Sequence, residues 1–103
     1  MRTMVNIRKT KTKEYVTIEC SGHTEYEAAG KDIVCAAVSI LTQTLIRALE
    51  DIGADISVSY SGNQIKEITI YTPSMCEYAD IEFAAAGYRM LAKHYPDNVS
   101  FEE

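Results

Sequence analysis

The spacing of hydrophobic residues switches twice from an alternating to a helical pattern, and this order constrains the fold more than any other feature of the chain. Two short runs of hydrophobic residues, separated by a turn rich in lysine and threonine, alternate with polar residues: Val5 and Ile7, then Val16, Ile18 and Cys20. Alternation of this kind is typical of strands with one buried face. The beginning of the chain therefore predicts a β-hairpin.

A helical spacing begins at Asp32. Beyond it, hydrophobic residues recur every three or four positions, at Val34, Val38, Leu41, Leu45, Leu49 and Ile52. This spacing places them on one face of an α-helix. Asp32 is a favourable N-cap, and Gly53 suits the left-handed position that ends many helices.

The ten residues between the hairpin and this helix follow neither spacing. They run from Gly22 to Lys31, and we expect them to form a loop with Gly22 and Gly30 as hinges. Loops carried on a rigid framework often hold functional residues.

A second pair of strands is predicted after the helix. Ile56, Val58 and Tyr60 alternate with polar residues, and so do Ile68 and Ile70. A turn signal, Gly62-Asn63, separates the two runs. We expect a three-residue loop from Gly62 to Gln64, because it aligns Val58 with Ile68 on the buried face.

The last third of the chain predicts a second helix and a short strand. Pro73 ends the preceding strand, and Ser74 with Glu77 forms a capping-box pattern. Pro96 ends the helix, and residues 99–102 form an edge strand. His94, near the helix end, is expected to interact favourably with the helix dipole.

Two hydrophobic stripes lie side by side on this second helix. One contains Ala79, Phe83, Ala86 and Met90, and the other contains Ala84, Gly87 and Leu91. One stripe is expected to face the sheet. The run of small residues from Ala84 to Gly87 would allow a second helix to approach closely, either from the same chain or from another copy.

The predicted class is α+β, in the order strand-strand-helix-strand-strand-helix, with two helices packed on one small, mostly antiparallel sheet. A length of 103 residues and a hydrophobic content of 47% suit a single domain, residues 1–103. A domain of this size leaves much of its surface exposed, so association with a second copy is an added expectation.

The charge distribution argues against general binding to a nucleic acid backbone. The formal net charge is −5, and all fifteen acidic residues lie from Glu14 onward, whereas half of the ten basic residues precede it. A nucleic acid partner would require a basic patch. The acidic surface would instead attract a basic polypeptide, although solubilising charge is the simpler interpretation.

An odd number of cysteines without a CxxC pair indicates a reducing compartment. Cys20, Cys35 and Cys76 do not form the pattern of a secreted disulfide framework. The N-terminus shows neither a signal-peptide core nor a membrane span, and no membrane partner is expected. We therefore expect a cytoplasmic protein.

Cys35 is the residue with the clearest chemical potential. It falls in the first turn of the predicted helix, where the helix dipole and a nearby imidazolium would lower the pKa of a thiol. The N–H groups of Val34 and Cys35 would stabilise an oxyanion next to the sulfur. His23, just beyond the second strand, is the candidate general base.

Two neighbours of Cys35 are candidates for a supporting role. We expect Asp32 to be the helix N-cap, with orientation of the His23 imidazole as the alternative. Ser39 lies one helical turn after Cys35, where its hydroxyl would bond the thiolate or line the pocket. A hydrogen bond to its own helix backbone is the simpler role for Ser39.

The other cysteines supply the alternatives. Cys20 is in phase with the buried strand residues and is expected in the core, whereas Cys76 begins the second helix and is the rival nucleophile. A zinc site of Cys20, His23, Asp32 and Cys35 is conceivable. The strand phase opposes it, because Cys20 should point inward. We therefore expect no metal and no cofactor.

The segment from Gly22-His23 to Gly30-Lys31-Asp32-Ile33-Val34-Cys35-Ala36-Ala37-Val38-Ser39 resembles the signature of the ribosomal-processing cysteine protease family, Prp. It matches as GH followed by G-x-DIVCAAVS. The order of elements and the chain length resemble that family over nearly the whole chain.

The resemblance implies a cysteine endopeptidase with His23 and Cys35 as its catalytic dyad, supported by Asp32 and Ser39. It further implies a homodimer and a loop between the dyad residues that closes over bound peptide. The implied substrate is the basic N-terminal extension of the twenty-seventh protein of the large ribosomal subunit. A non-catalytic assembly adaptor that binds the same protein is the alternative function.

Overall fold

The elements appear in the predicted order in a computed structural model, which describes residues 5–22, 33–62 and 64–103. The elements are β1 (Val5–Lys11), β2 (Tyr15–Ser21), α1 (Ile33–Asp51), β3 (Ile56–Ser61), β4 (Gln64–Tyr71), α2 (Met75–His94) and β5 (Val99–Glu102). The α+β class is confirmed, and so is the short final strand. The predicted loop from Gly22 to Lys31 lies, apart from Gly22, outside the described residues.

The five strands form one sheet in the order β3-β4-β2-β1-β5. All neighbouring pairs are antiparallel except β1 and β5, which are parallel. The predicted hairpin of β1 and β2 is confirmed, with Ile7 opposite Cys20. Ile7 also pairs with Phe101 of β5, so the last strand extends the buried side of the sheet.

The core lies between one face of the sheet and the two helices. Strand residues of alternating phase and one side of each helix form a single buried cluster, which includes Val5, Ile7, Val16, Ile18, Cys20, Ile68, Ile70, Val99, Val34, Val38, Leu45, Leu49, Ile81, Ala84, Tyr88 and Leu91. Burial of this apolar surface is the main stabilising contribution to the fold. The strand residues of the opposite phase form the other side of the sheet, called the outer face below.

α1 buries most of its predicted stripe. Val34, Val38, Leu45 and Leu49 are buried, whereas Leu41 is only half-buried. Ile52, which the stripe included, lies beyond the last helical residue and is exposed. Since the helix ends at Asp51, the turn of the chain carries Ile52 away from the core.

Gly53 ends α1 as predicted. It has φ of +72°, its N–H bonds the carbonyl of Glu50 at 3.0 Å, and the N–H of Ala54 bonds the carbonyl of Leu49 at 3.0 Å. This pair of bonds is the Schellman motif, which satisfies carbonyls left without partners at a helix end.

The length and composition of α1 meet the criteria for a helix that could cross a membrane, with a mean hydropathy of 1.5. Core helices of soluble proteins meet the same criteria. Here the most apolar side of α1 packs into the core shared with the sheet. The expectation that this chain has no membrane partner stays a prediction.

The β3–β4 hairpin confirms the predicted register but not the predicted loop. Val58 pairs with Ile68, as expected from their shared buried face. Ser61, however, pairs with Gln64, so only residues 62 and 63 separate the strands. A bulge at Ser59/Tyr60 shifts the register by one residue, which reconciles the shorter loop with the buried pairing.

α2 begins and ends at its predicted signals. Ser74 is the N-cap, and the carboxylate of Glu77 accepts hydrogen bonds from the Ser74 N–H and hydroxyl in a capping box. These bonds hold the pKa of Glu77 below its usual range. His94 is the last helical residue, two positions before Pro96.

Of the two hydrophobic stripes on α2, the structure buries the one with small residues. Ala84 and Leu91 are buried, whereas Phe83 is 81% exposed and Met90 is 57% exposed. A Cβ built on Gly87 would lie 2.8 Å from Cδ2 of Leu41 on α1. Gly87 therefore serves the contact between the two helices of one chain.

Candidate active site

Cys35 lies in the first turn of α1, as its third residue. Its side chain is half-buried and packs against the edge of the core, next to the buried Val34. Ile33, at the start of the helix, is 69% exposed. The thiol thus lies between the buried stripe of α1 and its exposed side.

Ser39 follows Cys35 by one helical turn and is also half-buried. Residues four apart on a helix are neighbours on its surface. The local geometry of α1 therefore agrees with the predicted proximity of the two side chains. No hydrogen bond of the Ser39 hydroxyl is present among the described residues.

β2 ends two residues before His23 in the sequence. Cys20 is the last buried residue of this strand, and Ser21 and Gly22 after it are exposed. Gly22 has φ of +85°, which favours glycine at this position. His23, Gly30 and Asp32 lie outside the described residues. The contact between His23 and Cys35 and the role of Asp32 therefore stay predictions.

A cleft lies beside the end of β2, opposite the connection between β3 and β4. Its volume is about 200 Å³, and its lining includes Ser21, Gly22, Gln64, Ile65 and Lys66. The sequence did not single out Gln64 or Lys66, because their contact with β2 depends on the pairing of β2 with β4. The alternating patterns of β2 and β4 are the only sequence signal that could have placed Gln64 and Lys66 beside the end of β2.

Cys20 is a core residue, as its strand phase predicts. It is 6% exposed, and burial raises the pKa of its thiol. A thiol that is buried and protonated is a poor nucleophile. Cys76, the second residue of α2, is exposed.

Within residues 5–22, 33–62 and 64–103, no group of three or more histidine, cysteine, aspartate or glutamate side chains is placed to hold a metal ion. Cys20, one of the four conceivable zinc ligands, is buried in the core. Two others, His23 and Asp32, lie outside these ranges. The expectation of no metal stays a prediction.

Comparison with known proteins gives one family match. The model of the family described as cysteine protease Prp matches residues 3–100 of this chain. A search of curated proteins finds no significant match.

Solved structures share the fold over nearly the whole chain. The protein SMU.848 from Streptococcus mutans is 25% identical, with a TM-score of 0.74 over 97% of this chain and 93% of its own. Two crystal structures of an essential ribosomal processing protease Prp from S. aureus also match, each over 97% of this chain and 100% of theirs. The one with a substrate peptide is 15% identical with a TM-score of 0.71. The one with a covalently linked product peptide is 17% identical with a TM-score of 0.76.

Proposed function

The chain belongs to the cysteine protease Prp family, and on this premise we propose that it is a cysteine endopeptidase with Cys35 as nucleophile and His23 as general base. The observation that carries the proposal is the position of Cys35 in the first turn of α1, half-buried at the edge of the core. The positive end of the helix dipole favours a thiolate at this position.

The proposed reaction is acyl transfer in two steps. His23 takes the proton of Cys35, the sulfur attacks the scissile carbonyl carbon, and the N–H of Val34 donates to the oxyanion that forms. Collapse of this intermediate breaks the C–N bond, and the amine leaves with the proton from His23. Water then attacks the thioester and gives a proton to His23, the C–S bond breaks, and the new carboxyl terminus leaves while His23 returns its proton to the sulfur of Cys35.

Other residues around Cys35 are proposed to support this step. Asp32 caps α1 or orients the imidazole of His23, and Ser39 donates to the thiolate or lines the pocket. Gly22, with its positive φ, supplies the turn out of β2 toward His23. Gly30 is proposed as the second hinge of the intervening loop.

We propose that the substrate is the N-terminal extension of the twenty-seventh protein of the large ribosomal subunit, cut in the cytoplasm during ribosome assembly. The S. aureus protein of the same fold is described as a ribosomal processing protease in complex with a substrate peptide. The cleft between the end of β2 and Lys66 is the proposed entry for such a peptide, because Gly22, which directly precedes His23 in the sequence, lines it.

We propose that the active protein is a homodimer formed through α2. The exposed α2 face, defined as Met75, Ala79, Phe83, Ala86 and Met90, carries large hydrophobic side chains in contact with solvent. An apolar groove between Phe83 and Ile40 of α1 runs beside it. Contiguous exposed apolar surface of this kind is typical of an interface between proteins.

The dimer proposal is tested by Phe83→Glu, which should convert the protein to a monomer in light scattering coupled to gel filtration. The matched control is Tyr60→Glu, since Tyr60 is 61% exposed on β3, away from the exposed α2 face. A dimer that persists in the Phe83 variant would refute this location of the interface.

Cleavage of a peptide tests the catalytic proposal. The peptide should span the extension of the ribosomal protein from the same host. Wild-type protein should cleave it, Cys35→Ala and His23→Ala should not, and Cys76→Ala should cleave normally. Cys76 is a matched control because it also lies at the start of a helix.

The outcomes separate the parts of the proposal. Cleavage by Cys35→Ala would exclude Cys35 as the nucleophile. Cleavage of an unrelated peptide but not of the extension would contradict the proposed substrate and support the proposed protease activity. Binding of the extension without cleavage by the wild-type protein would favour the assembly adaptor.

A further inference from the structure

The outer face of the sheet carries an unusual set of matched residues. Along β2 and β4, three successive cross-strand pairs on this face consist of identical residues: Tyr15 with Tyr71, Thr17 with Thr69, and Glu19 with Glu67. In the described part of the chain, both helices pack on the opposite side of the sheet. The three pairs together are called the paired patch below.

The two glutamates of the paired patch place two negative charges side by side. Their side chains project from directly opposite positions, where like charges destabilise a sheet. Neither carboxylate forms an ion pair within the described residues, and only the Thr69 hydroxyl donates to Glu67, at 3.4 Å. The cation in register beside Glu19 is Arg8, whose Nε lies 3.3 Å from the carboxylate of Glu102. The glutamate pair therefore retains uncompensated negative charge.

Thr17, at the centre of the paired patch, adds an independent sign of a ligand. It is only 8% exposed, yet its hydroxyl forms no hydrogen bond with any other described residue. The other buried threonine, Thr42, bonds both Val38 and Tyr88. Buried polar groups usually have a partner, and one without a partner calls for an explanation such as a bound molecule.

Tyr15 and Tyr71 form the other end of the paired patch. Tyr15 is 37% exposed and Tyr71 is 41% exposed, and both line a depression of about 410 Å³ that also contains Glu19 and Glu67. Aromatic faces attract cations. Because alternate residues of a strand are about 7 Å apart, the tyrosine pair and the glutamate pair are separated by about 13 Å.

We propose that the paired patch binds a cationic segment of polypeptide in an extended conformation. One lysine or arginine lies over Glu19 and Glu67, and a second lies against Tyr15 and Tyr71. Four residues of extended chain span about 13 Å, so basic residues four positions apart match the two ends of the patch. Thr17 and Thr69, at the centre of the patch, form hydrogen bonds with the part of the bound segment that lies between its two basic residues.

The chemistry of the patch favours a polypeptide over other cations. A metal ion would use the carboxylates but not the aromatic pair, and a small amine could not reach both ends. The net charge of −5 also favours the approach of a basic chain. This site lies across the sheet from Cys35, and its occupancy does not depend on cleavage.

The test is an NMR titration of the ¹⁵N-labelled Cys35→Ala protein at low salt. The probe is the blocked peptide Lys-Ser-Thr-Ser-Lys, with Glu-Ser-Thr-Ser-Glu as the reversed-charge probe. We expect the lysine peptide to shift amide signals of β2 and β4, and the glutamate peptide to leave them unchanged. The double variant Glu19→Gln/Glu67→Gln should bind the lysine peptide roughly three- to tenfold more weakly.

The matched control is Glu50→Gln/Asp51→Asn, which removes the same charge from the end of α1, in the helical layer. It should bind the lysine peptide nearly as well as the parent protein. An equal loss of binding in both double variants, or shifts spread over the helices, would show only general attraction and would overturn the proposal. Equal binding of both peptides would overturn it as well.

Discussion

The hydroxyl oxygen of Thr42 on α1 lies 2.7 Å from the phenol oxygen of Tyr88 on α2, and both residues are buried. Thr42 also donates to the carbonyl of Val38 at 2.7 Å, so the phenol of Tyr88 must donate to Thr42. This bond joins the two helices at the middle of α1. It also adjoins Cys20, whose thiol interacts with Thr42.

The direction of this bond predicts unequal costs for removing its two ends. Thr42→Val leaves the buried phenol of Tyr88 without an acceptor and should lower the free energy of unfolding by about 1–3 kcal/mol. Tyr88→Phe leaves Thr42 bonded to Val38 and should cost about 1 kcal/mol. Urea unfolding of both variants and of the double variant measures the difference. A larger cost for Tyr88→Phe would contradict the assigned direction.

Alkaline pH is predicted to destabilise the fold through the same cluster. Burial raises the pKa of Tyr88 and of Cys20 above the values these groups have in the unfolded chain. The unfolded chain therefore loses these protons first, and stability falls as pH rises above about 8.5 for the thiol and about 10 for the phenol. Below these values the two groups make no pH-dependent contribution.

The free energy of unfolding, measured at a series of pH values from about 7 to about 11, checks this prediction. This range runs from neutral pH to conditions under which an ordinary phenol is ionised. Tyr88→Phe should flatten the steepest part of the decline, and Cys20→Ala should flatten its beginning. A decline that is identical in the wild type and both variants would place its origin in other groups.

Close packing of the helices at Gly87 predicts a destabilising substitution. Gly87→Leu would place side-chain atoms where Cδ1 and Cδ2 of Leu41 lie, because even a Cβ would be 2.8–2.9 Å from them. Overpacking of this kind should cost about 1–3 kcal/mol in thermal or urea unfolding. Leu41→Ala should recover part of the loss. The control, Ala86→Leu on the exposed side of α2, should have little effect on monomer stability.

Gly53 predicts a cost that arises from backbone conformation alone. Its φ is +72°, and a Cβ at this position would meet no atom within 4 Å. Gly53→Ala should therefore destabilise the protein by about 1 kcal/mol, because a left-handed conformation is unfavourable for a residue with a Cβ. Gly53→Asn should cost less, since asparagine tolerates this conformation. Equal costs in urea unfolding would argue against this explanation.

The three cysteines should differ in their reaction with iodoacetamide. Cys20 is buried and should react only when the protein unfolds, whereas Cys76 is exposed and should react in the folded protein. Cys35, if it is the nucleophile, should react at a pH well below the usual thiol pKa and lose this behaviour in His23→Ala. Mass spectrometry of the labelled peptides resolves the three rates. Equal pH profiles for Cys35 and Cys76 would count against the dyad.

Much of the fold could be predicted because its signals are local. The capping box of Ser74 and Glu77 and the Schellman motif at Gly53 each satisfy backbone groups within a few residues, so short motifs are enough to locate helix ends. The buried pairing of Val58 with Ile68 also follows from strand period alone. The bulge at Ser59/Tyr60 could not be predicted. In a regular hairpin, a two-residue loop and the pairing of Val58 with Ile68 are incompatible, and the bulge allows the structure to have both.

The candidate site divides in the same way. The motif around Cys35 places the thiol in the first turn of a helix from sequence alone, and the structure confirms that position. The cleft formed by Gln64 and Lys66 with the end of β2 joins residues that are distant in the chain. No local pattern specifies which strands become neighbours, so this part of the site depends on sheet order.

The sequence by itself determined the types of the elements, the helix ends marked by capping motifs and the face each strand buries, because hydrogen-bonding caps and side-chain periods act over a few residues. Only the tertiary structure decided which stripe of α2 enters the core. Both stripes are hydrophobic, but Gly87 allows Leu41 to approach within contact distance, whereas Phe83 in that position would hold the helices apart. Packing volume between the two helices, together with the burial of Ile81 and Tyr88 on the same side of α2, made that choice.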